Sequence, residues 1–414
     1  MQKHRAAIAM FSILLLSYVL NAIDRGVFSV VAVDVRDAMK LSLPQVGLAS
    51  TVFTLGMGLA GIPTGYLLSF MSRKAVVQLG LFIFSLATLL TAYASGLPDL
   101  LGYRLVSGVG EAMQVTAVIA IGASYFHKRR ALMTGTVSFA YGIGAFSGPA
   151  MTASLLSAYG WKMPFIAFGL VGVVVMAIVA LGVRPWFSES KANEEAASVG
   201  NSDQVAAVGG ETIWNAKTIM LAVAAVCAGV AASGFGGMYP TYLRAELGYT
   251  PQQAGMVMSA VGIGGFGAPL GGWLGDRLGY HRVLIVALPL AALSGGIAFT
   301  ELNHSLILHA VVAGVFGIAV LSMLYANLSA IIINSTGPAL AAQASGLFVA
   351  SYYIPAAFAG YFLAQLKEAS SWMTAGIVQV SGFALLATIL IVVAGAIHRP
   401  VVTPVRTEVM NPSA

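Results

Sequence analysis

Four charged side chains fall inside two long apolar stretches of this sequence, where charge is least expected. Asp24 and Arg25 are adjacent in the first stretch, and Arg104 and Glu111 lie in a later one. A charge at the centre of a membrane helix costs about 2.5–3.5 kcal/mol on insertion scales, and such residues are rarely kept without a role. We therefore treat these four side chains as candidate site residues.

The spacing of these charges indicates which of them can meet. Arg104 and Glu111 are seven residues apart, so they share a helix face but lie about 10 Å apart along its axis and cannot pair. Gln114 extends the same polar stripe, and Asn21 lies one turn before Arg25. We expect the two helices to face a shared cavity that water reaches, and a silent structural ion network is the alternative.

The charges also suggest a chemistry. When all four groups are ionised their charges sum to zero, so a bound monoanion leaves one negative charge in excess. Protonating one acid restores neutrality, and anion and proton therefore favour each other's binding. The planar guanidinium of arginine matches a carboxylate bidentately. We predict that Arg25 binds a small organic anion with Arg104, Asn21 and Gln114 nearby, and that Asp24 and Glu111 carry protons.

The composition defines the class of protein. The chain has 414 residues, of which 58% are hydrophobic and 9% charged, against about 25% charged in soluble domains. The sequence therefore predicts an all-α integral membrane protein in contact with lipid. The basic residues lie in short loops between spans, so nucleic acid is not an expected partner. The chain has one cysteine and no HExxH, GxSxG or CxxC motif, so we expect no disulfide, metal, cofactor or enzymatic activity.

Apolar stretches of about 20 residues recur along the chain, as a bilayer requires of a helix. We predict twelve transmembrane helices at about 7–33, 45–70, 75–94, 98–125, 131–158, 163–183, 217–243, 251–274, 282–300, 305–333, 342–366 and 373–397. They form two six-helix bundles, 1–183 and 217–398, separated by a cytoplasmic linker at 184–216 and followed by a tail at 399–414. Fourteen basic residues on one side against five on the other place both termini in the cytoplasm.

The two halves share a pattern of small residues. The copies are Gly56, Gly58, Gly61, Pro63 and Gly65 in span two, and Gly262, Gly264, Gly267, Pro269 and Gly271 in span eight. Internal duplication is typical of transporters in which two halves rock around a central site. The spacing also fits a dinucleotide-binding loop, but these glycines lie inside apolar spans, so we favour close helix packing.

The second half contains no acidic or basic residue well inside a span. Its polar groups there are uncharged: Tyr239, Tyr325, Asn327, Tyr352, Tyr353 and Gln379. Tyr141 of span five has a counterpart in Tyr352 of span eleven. We predict that these side chains shape the substrate site while the first half handles charge.

Two motifs carry a family resemblance. The run from Asn21 to Arg25 resembles the Asn-Tyr-x-Asp-Arg signature of the anion:cation symporter branch of the major facilitator superfamily, and the run from Arg104 to Ala112 is similar to its Arg-x-x-x-Gly-x-x-Glu-Ala motif. That branch includes bacterial sugar-acid symporters, sialin and the vesicular glutamate transporters. The resemblance implies the superfamily fold, proton coupling through Asp24 and Glu111, and anion contact at Arg25.

The loops after spans two and eight resemble the loop motif of that superfamily. The second copy keeps its acid as Asp276, next to Arg277, whereas the first has Ser69 before Arg73 and Lys74. An acid at this point can accept hydrogen bonds from a helix N-terminus and from arginines, and so latch one conformation. We predict a gating role for Asp276, Arg277, Arg73 and Lys74.

The sequence departs from the branch at two positions and leaves alternatives open. Ser138 and Val349 stand where sugar-acid members usually have asparagine, which favours a less polar aromatic or aliphatic monocarboxylate. The leading hypothesis is proton-coupled uptake by a monomer in the bacterial inner membrane. A proton antiporter exporting lysolipid or amphipathic drugs is the second hypothesis, since the Gly142–Pro149 stretch resembles an antiporter motif and the charged motifs also resemble spinster-type transporters. A receptor or intramembrane enzyme is the third.

Overall fold

The structure, a computed structural model, describes residues 2–126, 130–189, 213–336 and 340–396. Helices make up nearly all of these residues, and the described ranges contain no strand. The predicted tail and most of the predicted linker lie outside them. The start of the linker belongs to the described residues and forms a short helix. Its Phe187 is buried, and the ring centroids of Phe187 and Tyr125 are 4.9 Å apart.

The described residues of the first half form eight helices, and two of these make up the second predicted span. They are α1 (Gln2–Met39), α2 (Leu43–Thr51), α3 (Phe53–Phe70), α4 (Arg73–Thr91), α5 (Leu97–Tyr125), α6 (Arg130–Tyr159), α7 (Lys162–Gly182) and α8 (Pro185–Ser188).

The second half has more interruptions. Its helices are α9 (Ala216–Ala245), α10 (Pro251–Phe266), α11 (Ala268–Leu278), α12 (Tyr280–Ala298), α13 (Leu306–Gly317), α14 (Tyr325–Ile333), α15 (Ala341–Ala356), α16 (Ala359–Ala369), α17 (Trp372–Ala375) and α18 (Phe383–Ala396). Segments of π-helix at Ile318–Leu324 and Gly376–Gly382 join α13 to α14 and α17 to α18.

The same local signal starts the second predicted span of each half. Ser42 caps α2 in a capping box with Gln45, and Thr250 caps α10 in a capping box with Gln253. In each box the hydroxyl accepts from a backbone N–H of the first turn, and the glutamine side chain accepts from the backbone N–H of the capping residue. The duplicated pattern therefore includes the residues that begin these helices.

Ten described helices are long and apolar enough to cross a membrane, or eleven if the bent pair α10 and α11 forms one span. The remaining predicted span corresponds to α6, which is 30 residues long but rich in glycine, serine and threonine. The number twelve and the cytoplasmic placement of the termini stay predictions.

Buried apolar side chains form two large clusters among the described residues. One runs from Ala7 to Phe187 and the other from Leu221 to Ala394. Each cluster draws on helices of one half of the sequence. The division into two bundles and its boundaries stay predictions.

Several small residues of the duplicated pattern lie inside helices and let backbones approach, and Gly267 lies at the break between α10 and α11. A Cβ added at Gly56 would overlap the carbonyl oxygen of Leu105, and one added at Gly264 would overlap that of Gly317. Such contacts favour small residues in membrane helices. The placement gives these glycines a packing role and provides none of the strand-to-helix context that a dinucleotide loop needs.

The two halves touch closely at their predicted outer ends. The Thr51 hydroxyl donates to the Ala357 carbonyl at 2.8 Å, and α2 and α16 meet at Gly47 and Gly360. Arg244 at the end of α9 forms an ion pair with Asp34 at the end of α1.

Toward the predicted cytoplasmic ends these helices separate. An added Cβ at Gly58 would be 2.8 Å from Ile354, and one at Gly61 would be 3.9 Å from Val349. Among the described residues, no atom lies within 4 Å of a Cβ added at Gly65. The second and eleventh spans are therefore in contact at their predicted outer ends and apart at their predicted cytoplasmic ends.

We predict that Gly108→Ala destabilises the protein, whereas Gly102→Ala on the same helix does not. A Cβ at Gly108 would overlap the carbonyl oxygen of Phe53 on α3, but Gly102 has open space around it. Overpacking of this kind costs about 1–3 kcal/mol. The apparent melting temperatures of the two variants in detergent measure the difference, and equal values would contradict the close packing of α3 on α5.

Candidate functional site

The four charged residues of the sequence analysis meet between α1 and α5, with α4 behind them. Asp24, Arg104 and Glu111 are at most 1% exposed, and the Arg25 side chain is 14% exposed. Gly80 of α4 and Gly110 of α5 bring these two backbones together, because an added Cβ at Gly80 would be 2.7 Å from the Gly110 oxygen. The small residues thus let α4 contribute to the site.

Arg25 and Glu111 form the direct ion pair of the site. The Arg25 Nε donates to Glu111 Oε2 at 3.1 Å and to Asn21 Oδ1 at 3.0 Å. Within the described residues, its two Nη groups have no hydrogen-bond partner. The guanidinium lies over the Tyr141 ring, 5.6 Å from its centroid. Arg25 therefore holds Glu111 with one nitrogen and retains a two-nitrogen edge for another group.

Asp24 is held by hydroxyl groups from two other helices. Thr88 of α4 donates to Asp24 Oδ1 at 2.8 Å, and the Ser107 Oγ of α5 lies 3.0 Å from Asp24 Oδ2. The same Ser107 oxygen lies 3.2 Å from Glu111 Oε1. Ser107 therefore bridges the two carboxyl groups.

This bridge limits the protonation states that fit the geometry. A serine hydroxyl has one hydrogen and can donate fully to one acceptor. If both acids were ionised, the Ser107 oxygen would face a second carboxylate without a hydrogen between them. One proton on either acid supplies the missing hydrogen. The arrangement therefore leaves a place for one proton between the two carboxyl groups when both are ionised.

Arg104 is buried without an ion-pair partner within 4 Å among the described residues. Its guanidinium lies between two phenyl rings, 5.5 Å from the Phe28 centroid and 4.9 Å from that of Phe53. Its Nε and Nη2 atoms have no hydrogen-bond partner there. A buried cation in this state is costly unless an anion reaches it.

Asn21 and Gln114 join α1 to α5. The Asn21 amide nitrogen donates to Gln114 Oε1 at 2.7 Å and to the Glu111 carbonyl at 3.1 Å. The Gln114 amide nitrogen donates to Ser17 Oγ at 2.7 Å. These amide groups are engaged with protein, so they position the charged residues.

Tyrosines from both halves surround Arg25. Tyr18 and Tyr141 of the first half have ring centroids 6.1 Å apart. Tyr353 of α15 packs against a buried cluster that includes Ala112, the residue after Glu111, and its hydroxyl donates to that of Tyr325 at 3.2 Å. Tyr352 packs edge-on against Tyr325 at 5.3 Å.

Other predicted contacts lie elsewhere. The Tyr239 hydroxyl is hydrogen-bonded to His309 Nδ1 at 2.8 Å in the aromatic core of the second half. Asn327 donates to the carbonyls of Gly271 and Met323, and Gln379 donates to those of Ala359 and Val230. Ser138 is half-buried on α6, and no described group is hydrogen-bonded to it. The structure brings Tyr239, Asn327 and Gln379 to helix contacts of the second half, not to Arg25.

The predicted gating residues have local partners. Asp276 is exposed and accepts from the Tyr280 hydroxyl at 2.7 Å, while Arg277 lies over the Trp273 ring at 5.1 Å. The Lys74 ammonium donates to the carbonyls of Ala180 and Val183, each at 2.7 Å.

Glu189, just after α8, accepts from the backbone N–H groups of Arg73 and Lys74 at 3.0 and 3.2 Å. An acid therefore does lie at the start of α4, although Ser69 occupies the motif position. Sequence reasoning missed it, because it comes from the predicted linker.

Sequence reasoning also missed Ser107, Thr88 and Tyr18. Two of them could have been found, since Ser107 is four residues before Glu111 and Tyr18 is seven before Arg25, on the same helix faces. Thr88 had no such signal, because its contact with Asp24 depends on how α4 packs.

The sequence model of the Major Facilitator Superfamily matches residues 14–360 and 221–408. The chain belongs to this superfamily. The superfamily is one of transporters and not of enzymes, and the many apolar helices of this chain make it a multi-pass membrane protein. The resemblance found in the sequence is confirmed at this level.

Curated relatives include transporters of organic acids. The chain is 28% identical over 162 residues to the probable L-galactonate transporter of Escherichia coli K12, covering 39% of this chain and 36% of that protein. It is 26% identical over 166 residues to the niacin transporter NiaP of Acinetobacter baylyi, covering 40% and 38%. The matches thus span little more than a third of each relative.

Solved structures share the fold over nearly the whole chain. A bacterial homologue of the lysosomal transporter Spinster gives a TM-score of 0.70 at 20% identity, covering 93% of this chain and 94% of that one. A D-xylose–proton symporter gives 0.73 at 14% identity, covering 94% and 97%. At these identities the likeness concerns the fold alone.

We predict that Asn21 and Gln114 are energetically coupled. Asn21→Ala leaves the buried Gln114 oxygen without its donor, which costs about 1–3 kcal/mol. In the double variant Asn21→Ala/Gln114→Ala the loss should be smaller than the sum of the single losses, with a coupling of about 0.5–3 kcal/mol. Apparent melting temperatures in detergent measure this, with the exposed Gln365→Ala as control. Additive losses would contradict the contact.

Proposed function

We propose that this transporter takes up an organic monocarboxylate together with protons by alternating access. The observation that carries the proposal is the neutral cluster of Asp24, Arg25, Arg104 and Glu111, in which both cations retain unpartnered N–H groups. The names of several relatives indicate organic anions as their substrates, which supports the choice of an anion.

Charge balance couples the two ligands. A carboxylate on the Nη edge of Arg25 brings a negative charge into a low-dielectric site, next to the Glu111 carboxylate. One proton on the Asp24–Ser107–Glu111 unit cancels that charge. The unit has a place for this proton, because the single Ser107 hydrogen cannot serve both carboxyl groups. Binding of the anion therefore strengthens proton binding, and the reverse must hold by linkage.

Arg104 supplies a second positive charge nearer the predicted outer end of α5. It interacts electrostatically with Asp24 and Glu111 without touching either. A carboxylate that enters from outside can bind its free N–H groups before it reaches Arg25. The two arginines would then act in sequence along one path.

The splay between the halves supports alternating access. The Asp34–Arg244 ion pair and the Thr51–Ala357 hydrogen bond join the predicted outer ends, while α3 and α15 diverge toward the inside. Rocking of one half against the other would break these contacts and open the outer side. Each chain supplies every group of the site, so a monomer in the bacterial inner membrane suffices.

The alternative of a proton antiporter that exports lysolipid or drugs was suggested by the glycines of α6. Gly144 packs against Val19 and Ala22 of α1, and Gly148 packs against Ile23. Close contact of α6 with the site helix explains these glycines without an antiport role. No further contact favours export.

We predict that Asp24→Asn and Glu111→Gln abolish accumulation driven by a proton gradient in proteoliposomes but retain substrate exchange. Exchange needs anion binding and rocking, whereas accumulation needs the titrating acids. Labelled nicotinate and gluconate serve as probes, and Asp37→Asn at the exposed end of α1 is the matched control. A variant whose accumulation still follows the imposed gradient would overturn the assignment.

We predict that Ser107→Ala shifts the pH profile of uptake, whereas Ser107→Thr, which keeps a hydroxyl, restores it. Losing a hydrogen bond to a charged carboxylate should change the proton dissociation constant of the site by about tenfold or more. The dissociation constant of the bound substrate, measured at a pH low enough to protonate the site fully, should change far less. Ser154→Ala on α6 controls for loss of a serine, and an unchanged pH profile would contradict the bridge.

A further inference from the structure

The groups left free in the charged cluster are rich in N–H donors. Within the described residues, the two Nη groups of Arg25 and the Nε and Nη2 of Arg104 have no hydrogen-bond partner, and the hydroxyls of Tyr18 and Tyr141 beside Arg25 can donate or accept. A carboxylate only accepts hydrogen bonds, so it complements this set.

Most acceptors near Arg25 already have a donor. Asn21 Oδ1 accepts from Arg25, and Gln114 Oε1 accepts from Asn21. Asp24 Oδ1 accepts from Thr88 and Glu111 Oε2 from Arg25, while the one Ser107 hydrogen serves either Asp24 Oδ2 or Glu111 Oε1. A polyhydroxylated acid would bring several O–H donors and find few acceptors for them. Unpaired polar groups in a closed site lower affinity strongly.

The two free amide oxygens of the second half do not fill this gap. Asn327 Oδ1 is buried against Gly275, and Gln379 Oε1 is buried in a side chain packed on Gly234. Both sites are tightly packed between helices. These two amide oxygens therefore cannot accept a hydrogen bond from a substrate hydroxyl beside Arg25 in this conformation.

The walls around Arg25 are aromatic on both sides. Tyr18 and Tyr141 come from the first half, and Tyr325, Phe348 and Tyr353 from the second, with Tyr325 and Phe348 centroids 5.1 Å apart. Tyr353 packs against the buried cluster of Met57, Ala60 and Ala112 in the first half and donates to Tyr325, which places the two sets together across the interface. Aromatic rings prefer offset or edge-to-face contact with other rings.

We propose that the substrate is a planar aromatic monocarboxylate: Arg25 binds the carboxylate while the tyrosines of the two halves enclose the ring. This inference rests on the proposed function and narrows its substrate class. It sets this chain apart from relatives whose names indicate sugar acids, such as the hexuronate transporter of Bacillus subtilis. A phenol oxygen can still accept one hydrogen bond, so a single hydroxyl on the ring is compatible with the site.

Titration calorimetry on the detergent-solubilised full chain tests the proposal with three probes of equal charge. We expect benzoate to bind about tenfold or more tightly than gluconate and about threefold or more tightly than the non-planar cyclohexanecarboxylate. Gluconate binding as tightly as benzoate would overturn the proposal. Equal affinity for benzoate and cyclohexanecarboxylate would overturn its aromatic part.

Variants connect the preference to the named rings. Tyr141→Leu and, independently, Tyr18→Leu should weaken benzoate binding about threefold or more, whereas Tyr141→Phe keeps the ring and most of the affinity. Tyr361→Leu, an exposed tyrosine of α16, is the control, and unchanged melting temperatures confirm that the variants fold. Undiminished benzoate affinity in both leucine variants would remove the tyrosines from the site.

The outcomes separate this inference from the proposed function. If gluconate is accumulated under a proton gradient as well as benzoate is, proton-coupled uptake holds and the aromatic class fails. If benzoate binds tightly but its accumulation ignores the gradient, the aromatic class holds and proton coupling fails.

Discussion

The structure depends on one electrostatic constraint: charges of both signs are buried between two helices, and their sum must stay near zero. Burying unbalanced charge costs several kcal/mol per ion. The charge of Arg25 is balanced by contact with Glu111. The charge of Asp24 is stabilised by hydrogen bonds from the hydroxyls of Thr88 and Ser107 and by the positive charge of Arg104. Any further anion disturbs the balance, and in the proposed function a proton accompanies it for that reason.

The surrounding architecture holds these groups at hydrogen-bonding distance. The Asn21–Gln114 amide pair fixes α1 against α5, and Gly108 and Gly110 let α3 and α4 reach the α5 backbone. Among the described residues, the second half adds rings but no charge beside Arg25. Under the proposed alternating access, movement between the halves would change access to the cluster without separating its ions. Charge handling would then stay within the first half, and both halves would enclose the substrate.

The sequence was sufficient to predict the class of fold, the superfamily and the four charged residues, because charge inside an apolar span is conspicuous. Helical periodicity also placed Gln114 and Asn21 on the correct faces. It could not reveal which atoms meet across helices, since that depends on the rotation and distance of neighbours. Asn21 and Gln114 were therefore predicted as substrate contacts although they bond to each other, and Ser107 and Glu189 were missed. Tyr239, Asn327 and Gln379 were selected for polarity alone, and the structure places them at helix contacts in the second half.

Counting the protons that enter the protein as a carboxylate binds tests the central claim most directly. Binding heats of one carboxylate, measured at one pH in buffers of different ionisation enthalpy, give that number for the wild-type protein. The account predicts uptake of about one proton per bound anion, because only a proton restores the neutrality of the site. Tight carboxylate binding with no proton uptake at any pH would contradict it.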